Sequence, residues 1–235
     1  MERQPLAEWV RERDDPKIAN TKPEALDDIT VLDLSYNSYA GCYCSSLLSE
    51  FGAEVVRIEP PEGDFLRTCT PYGILHKNEG LIYLTEGRNK FHITLNLKEP
   101  KGREMLKSLA GQADVLIETY HPGVMDGWGL GYEQLKEINP RLIYAAVSAF
   151  GSRGPEKEAG GFDFLGQARS GMMYCVGEPD MPPLIAQFGL IDQITAITVS
   201  HAILTALYSR ERTDLGQEVK VSLLSSAMFL QYFNV

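Results

Sequence analysis

The stretch DITVLDLSYNSYAGCYCSSLLSEFGAEVVRIEPP, residues 28–61, reads as a strand, a helix and a second strand. DITVLDLS (28–35) is a short apolar run. AGCYCSSLLSEFG (40–52) turns Leu47, Leu48 and Phe51 toward one helical face and stops at Gly52. AEVVRIEPP (53–61) is rich in β-branched residues and ends at prolines. The alternation continues downstream. FHITLNL (91–97) is a third strand, and KEPKGREMLKSLAGQA (98–113) is a helix with Pro100 in its first turn, where a missing N–H is harmless. DVLIET (114–119) is a fourth strand, GYEQLKEINP (131–140) a short helix stopped by Pro140, and RLIYAAVSAFG (141–151) a fifth strand. Strands that are apolar throughout and alternate with helices predict an α/β fold with a parallel sheet covered on both faces. Such sheets bind ligands at the carboxyl ends of their strands.

Further along, GSRGPEKEAGGFD (151–163) is a glycine-rich loop and FLGQARSGMMYCVG (164–177) a helix followed by a turn. EPDMPP (178–183) is a turn cluster. A long helix is expected from Gln193 to Arg210, apolar nearly all round and therefore buried. EVKVSLL alternates like a strand, and SSAMFLQYF begins another helix whose apolar face has nothing after it to cover it. The expected organisation is an N-terminal arm over 1–27, helical over Leu6 to Arg13, a main domain over 28–224, and the start of a connection over 225–235.

Composition excludes several classes. The chain has 235 residues, 44% hydrophobic and 23% charged, as a folded soluble domain does. A net charge of −10 without a basic patch disfavours nucleic-acid and anionic-membrane partners. No apolar run reaches about 18 residues, the length of a membrane span. The charged N-terminus lacks the apolar core of a secretory signal. Cysteines at 42, 44, 69 and 175 suit a reducing cytoplasm, and the Cys42–Cys44 spacing reads as packed thiols. The four histidines show no metal-ligand spacing, so no metal site is expected. No GxGxxG, P-loop or GxSxG motif occurs.

LIAQFGLIDQITAIT (184–198) holds a single acid, Asp192, in an apolar run. An aspartate just before a helix can cap it by accepting backbone N–H bonds. A carboxylate held at a helix start in apolar surroundings is also a poised oxygen nucleophile, and the two roles are compatible.

Five blocks together resemble the family III CoA-transferases, the formyl-CoA, carnitine-CoA and bile-acid-CoA transferase group. They are VLDLSYNSYAGCYCSSLLSEFGAEVVRIEPPEGD, NKFHITLNLKEPKGRE, ADVLIETYHPGVMDGWGLGYEQLKEINPRLIYAAVSAFG, GFDFLGQARSG and SRERTDLGQEVKVSLL, in the family's order from about Ile29 to Leu224. The resemblance implies a Rossmann-like parallel-sheet domain of an interlocked dimer, with the family's downstream small domain missing from this sequence. It places the family's catalytic aspartate on Asp192, with an acyl-CoA thioester as substrate and no permanent cofactor. It also implies CoA contacts at Ser38 and Tyr39 near the thiol end, at Leu97 and Lys98 near the phosphates, and at Thr119 and Tyr120 near the adenine. A glycine loop that helps the family stabilise oxyanions would lie beyond residue 235.

The sequence departs from the family at the cations. Gly127 and Pro60 stand where arginines are usual, and His121 replaces the arginine of NFRPG. Arg57, Arg88 and Lys90 are substitutes for binding phosphate, or else solvated surface charges. Three readings follow: a CoA-transferase acting on an acyl-CoA and a carboxylic acid, a partner subunit of a two-subunit transferase such as the arylsuccinate type, and a 2-methylacyl-CoA racemase. The racemase branch needs a histidine where this chain has Phe162. Homodimer and heterodimer both fit the resemblance. Tyr36, Tyr39, Phe162 and Met172 or Met173 are candidates to line an acyl pocket for an aromatic or branched acid.

Overall fold

A computed structural model describes residues 24–70 and 73–233. The expected helix over Leu6 to Arg13 lies outside them. The first unit forms as read: β1 (Thr30–Leu34), α1 (Tyr39–Glu50) and β2 (Glu54–Glu59). Val31, Leu32 and Leu34 are all buried, so β1 is covered on both faces. A minor unit follows, with β3 (Leu75–His76) and β4 (Glu79–Gly80) paired as a two-residue hairpin before α2 (Leu81–Glu86). The alternation resumes with β5 (Lys90–Thr94), α3 (Pro100–Ala110) and β6 (Val115–Glu118). Then come α4 (Val124–Gly127), α5 (Tyr132–Ile138), β7 (Ile143–Ser148) and α6 (Asp163–Arg169). The chain continues through α7 (Leu190–Thr213), β8 (Glu218–Ser222) and α8 (Leu223–Leu230).

Six strands form one sheet in the order β5-β2-β1-β6-β7-β8, and every pair is parallel. With the hairpin set aside, this is the 3-2-1-4-5-6 order of dinucleotide-binding sheets. The strand order reverses between β1 and β6, so the loops after these two strands diverge and leave a crevice at their carboxyl ends. One face of the sheet packs on α1 and α7 through Leu48, Ile117, Val199 and Ile203. The other packs on α3 and α5 through Leu32, Leu106, Leu116 and Leu135. Burying each such leucine contributes about 1.5–3 kcal/mol.

Helix α7 differs from expectation in two ways. It starts at Leu190, and only one face is buried, through residues such as Thr195, Ala196, Val199 and Ile203. Ile197 and Tyr208 on the outer side are exposed. By length and hydropathy this helix could cross a membrane, although no unbroken apolar run predicts it. Its buried face instead packs on the core of the sheet.

A charged cluster lies inside the fold. Arg57 is 1% exposed and donates to Asp33 at 2.9 Å, to the Ser35 side chain at 2.8 Å and to Asp64 at 2.5 Å. Lys90 donates to the Cys42 carbonyl at 2.7 Å and to Ser45 at 2.8 Å. Arg88 pairs with Glu50 and Glu86. Arg57 and Lys90 are therefore buried ion-pair members and not solvated surface charges, whereas Arg88 is partly exposed in its ion pairs. Asp33 is held well below the ordinary carboxylate range: Arg57, Lys90 and hydrogen bonds from Ser35 and Ser45 outweigh the opposing effect of burial, which is the largest single influence.

Candidate active site

A cavity of about 680 Å³ opens at the carboxyl ends of β1, β6 and β7. Its wall is built by the loop after β1, the loop after β6, the end of β7, the segment entering α6 and the first turn of α7. Ser38 caps α1, its side-chain oxygen accepting from the Gly41 N–H. Tyr36 and Tyr120 stack with ring centres 6.2 Å apart, and Thr119 donates to the Tyr36 carbonyl at 3.0 Å. The two loops are thereby joined across the crevice.

Asp192 lines this cavity from the third position of α7. It does not cap the helix, contrary to the sequence reading. The N-cap is Gly189, whose φ of +72° is a left-handed conformation that an L side chain resists. The Asp192 carboxyl is pushed up to about 7. Burial is the largest cause, the charge of Asp163 adds to it, and the Ala40 backbone N–H opposes it. A carboxyl of this kind is substantially ionised at neutral pH and more basic than a free aspartate, as suits a nucleophile. Tyr39 lines the same cavity, and its hydroxyl titrates above its usual value, chiefly through burial.

Five of the seven residues singled out in the sequence meet here: Ser38, Tyr39, Thr119, Tyr120 and Asp192. Leu97 and Lys98 do not line the cavity. Leu97 is buried in the core beside Leu106, and Lys98 is exposed beyond the end of β5 with Glu62 3.7 Å away. His121 and Phe162 line the cavity. Met172 and Met173 do not, and Met172 belongs to the core under the sheet. Sequence reading missed Asp163 and Gln167, both buried and both tied to the start of α7. The available signal was the four-residue spacing of two polar side chains in GFDFLGQARSG, one helical turn apart. Among the described residues no group of three His, Cys, Asp or Glu side chains is arranged to hold a metal ion.

The sequence profile of CoA-transferase family III matches residues 26–235. Acetyl-CoA:oxalate CoA-transferase of Acetobacter aceti is 39% identical over 215 residues, covering 90% of this chain and 54% of that protein. The beta subunit of succinyl-CoA–L-malate CoA-transferase of Chloroflexus aurantiacus is 38% identical, covering 86% and 49%. The crystal structure of a CAIB/BAIF family protein from Brucella suis superposes with a TM-score of 0.85 at 34% identity, covering 90% of this chain and 56% of that one. The chain spans about half the length of the curated relatives it matches.

Proposed function

We propose, on the premise that the chain belongs to CoA-transferase family III, that it moves CoA from an acyl-CoA donor to a carboxylic acid through covalent intermediates on Asp192. The observation that carries this reading is the carboxyl of Asp192, titrating near 7, in the wall of a crevice where the strand order reverses. In the first step an Asp192 oxygen attacks the donor thioester carbonyl. The C–S bond breaks, and an aspartyl anhydride and CoA thiolate form. The thiolate then attacks the Asp192 carbonyl of the anhydride and releases the donor acid as its carboxylate. The aspartyl-CoA thioester that remains is attacked by the acceptor carboxylate, which gives a second anhydride and frees the thiolate again. Attack of the thiolate on the acceptor carbonyl completes the exchange and restores Asp192. No water and no ATP enter, and the apolar wall protects anhydrides from hydrolysis.

The CoA thioester is a substrate and not a resident group. Thr119 and Tyr120 stand toward the adenine, and Ser38 and Tyr39 stand near the thiol end. Lys98, exposed and only loosely paired with Glu62, takes a phosphate at the end of β5. Tyr36, Phe162 and Phe188 in the wall suit an apolar acyl group. Phe162 cannot move a proton, which speaks against racemase chemistry.

The test is to mix the complete protein with acyl-CoA donors, trap with hydroxylamine and map the modified peptide by mass spectrometry. An aspartyl hydroxamate on Asp192 is expected, and its absence with an accepted donor would overturn the reading. A second reading, a subunit completed by a homologous partner, is favoured by the exposed aromatic side chains of Phe229, Tyr232 and Phe233. In that case trapping would require both chains. Either an interlocked homodimer or a heterodimer in the cytoplasm is compatible with the chemistry.

A further inference from the structure

The first turn of α7 has no capping side chain of its own, because Gly189 occupies the N-cap. Its N–H groups would be left without acceptors in a buried setting. Asp163, 28 residues earlier, supplies one. Its Oδ1 accepts from the Ile191 N–H at 2.6 Å and from the Asp192 N–H at 3.2 Å. Its Oδ2 accepts from Gln167 at 2.6 Å. Gln167 is wholly buried, and the same amide nitrogen donates to the Gln187 carbonyl at 2.6 Å while its oxygen accepts from the Ala186 N–H at 3.0 Å. Gly166 lies between them. A Cβ there would stand 3.1 Å from Ile191 Cγ2, so helix α6 and the start of α7 touch closely. Residues 163, 166 and 167 share one helical face. That face grips Ala186 and Gln187 ahead of Phe188, and the N–H groups of Ile191 and Asp192.

We propose that Asp163 and Gln167 are positioning residues for Asp192: Asp163 fixes the backbone turn that carries the nucleophile, and Gln167 locks the Asp163 carboxylate and the incoming strap in place. The inference rests on the reading of Asp192 as nucleophile. The division of labour between the two acids is geometric. Asp163 spends both oxygens on donors and has none left for chemistry, whereas Asp192 faces the cavity. The groups that face Asp192 are Asp163 from α6 and Tyr39 and the Ala40 N–H from α1, and Tyr39 is in turn hydrogen-bonded to Gln193 of α7. A nucleophile held on such a frame needs no reorganisation before attack, and a displacement of about 1 Å costs on the order of 100-fold in rate.

The test uses the complete protein with its aspartate carboxyls labelled with carbon-13. Asp163→Asn keeps an acceptor oxygen for the two N–H groups and removes the charge. Its expected result is a folded protein in which Asp192 titrates at lower pH than in the wild type. Asp163→Ala removes cap and charge together, and kcat for CoA exchange is expected to fall about 100-fold with little change in KM. An Asp192 titration that is the same in Asp163→Asn and in the wild type would overturn the proposal, as would a wild-type kcat in Asp163→Ala. If Asp163→Ala does not fold, the Asp163→Asn titration decides alone. The titration requires no transferase activity. Full activity in Asp192→Ala would sink the nucleophile reading while leaving the titration result standing.

Discussion

At the scale of single residues, Asp192 joins chemistry to stability. Its carboxyl titrates near 7 in the fold and near the ordinary aspartate value when unfolded. Between these two values the folded state holds the extra proton, so stability falls as pH rises through that window. The loss amounts to about 1.4 kcal/mol for each pKa unit by which the fold raises the group. Asp192→Asn should therefore melt higher than wild type at pH 8 and at the same temperature near pH 3, by calorimetry. Exchange should be absent in Asp192→Asn and Asp192→Ala, and in the wild type should rise with pH through about 7 and then level. An amide that melts lower at pH 8 would show that the carboxylate is stabilising and the assignment wrong. The sequence made Asp192 visible because an acid in an apolar run has few explanations. It hid the role of Asp163, because the backbone N–H groups it caps lie 28 and 29 residues away and its one local partner, Gln167, reads as an ordinary helical neighbour. It also hid the state of Arg57 and Lys90, since a cation in a strand reads alike whether it meets water or a buried aspartate.

At the scale of elements, the β1–α1–β2 unit and the alternation after it were legible, because parallel strands buried on both faces are unbroken apolar runs. The hairpin of β3 and β4 and the short helix α2 were not. Their residues are few and mixed in polarity, and contacts to the rest of the fold hold them. The cations illustrate the same division. Arg57→Ala leaves Asp33 and Asp64 buried without their partner, which typically costs about 3–5 kcal/mol. Urea denaturation of the variant should show a loss of that size. Lys98, at the far end of β5, is exposed and pairs loosely with Glu62. Lys98→Ala should leave the urea midpoint unchanged and weaken CoA-ester binding by about 1–2 kcal/mol. That loss should shrink as salt rises, because exposed charges are screened. Equal CoA-ester affinity for wild type and variant at low salt, by calorimetric titration, would move the phosphate site elsewhere.

At the scale of the whole molecule, Met228, Phe229, Tyr232 and Phe233 expose a continuous stretch of apolar surface, with Phe233 94% exposed. Patches of this kind are usually covered by a partner or cause association. Residues 1–235 alone should therefore self-associate in analytical ultracentrifugation, and Phe229→Ser with Phe233→Ser should reduce it. A monodisperse monomer from the unaltered chain would contradict this. The Rossmann-like sheet was readable in outline from the strand pattern. The strand order was not, since nothing in β1 names β6 as its neighbour.

That neighbour relation has a consequence in time. Thr30 donates to Asp114 across 84 positions of chain, and Thr119 reaches Tyr36 across 83. Whereas β1 meets β2 across only 24 positions, from Thr30 to Glu54, the β1–β6 seam closes a large loop before it is rewarded, and such pairings form slowly. On the ribosome, β1 waits with one edge open until β6 has been made, and the crevice lacks the wall that carries Asp192 until α7 emerges. During that interval the half-built sheet presents an unpaired apolar strand, which favours misassembly at high concentration. The same reversal of strand order that creates the binding crevice therefore makes the centre of the sheet the part most exposed to wrong pairing during synthesis.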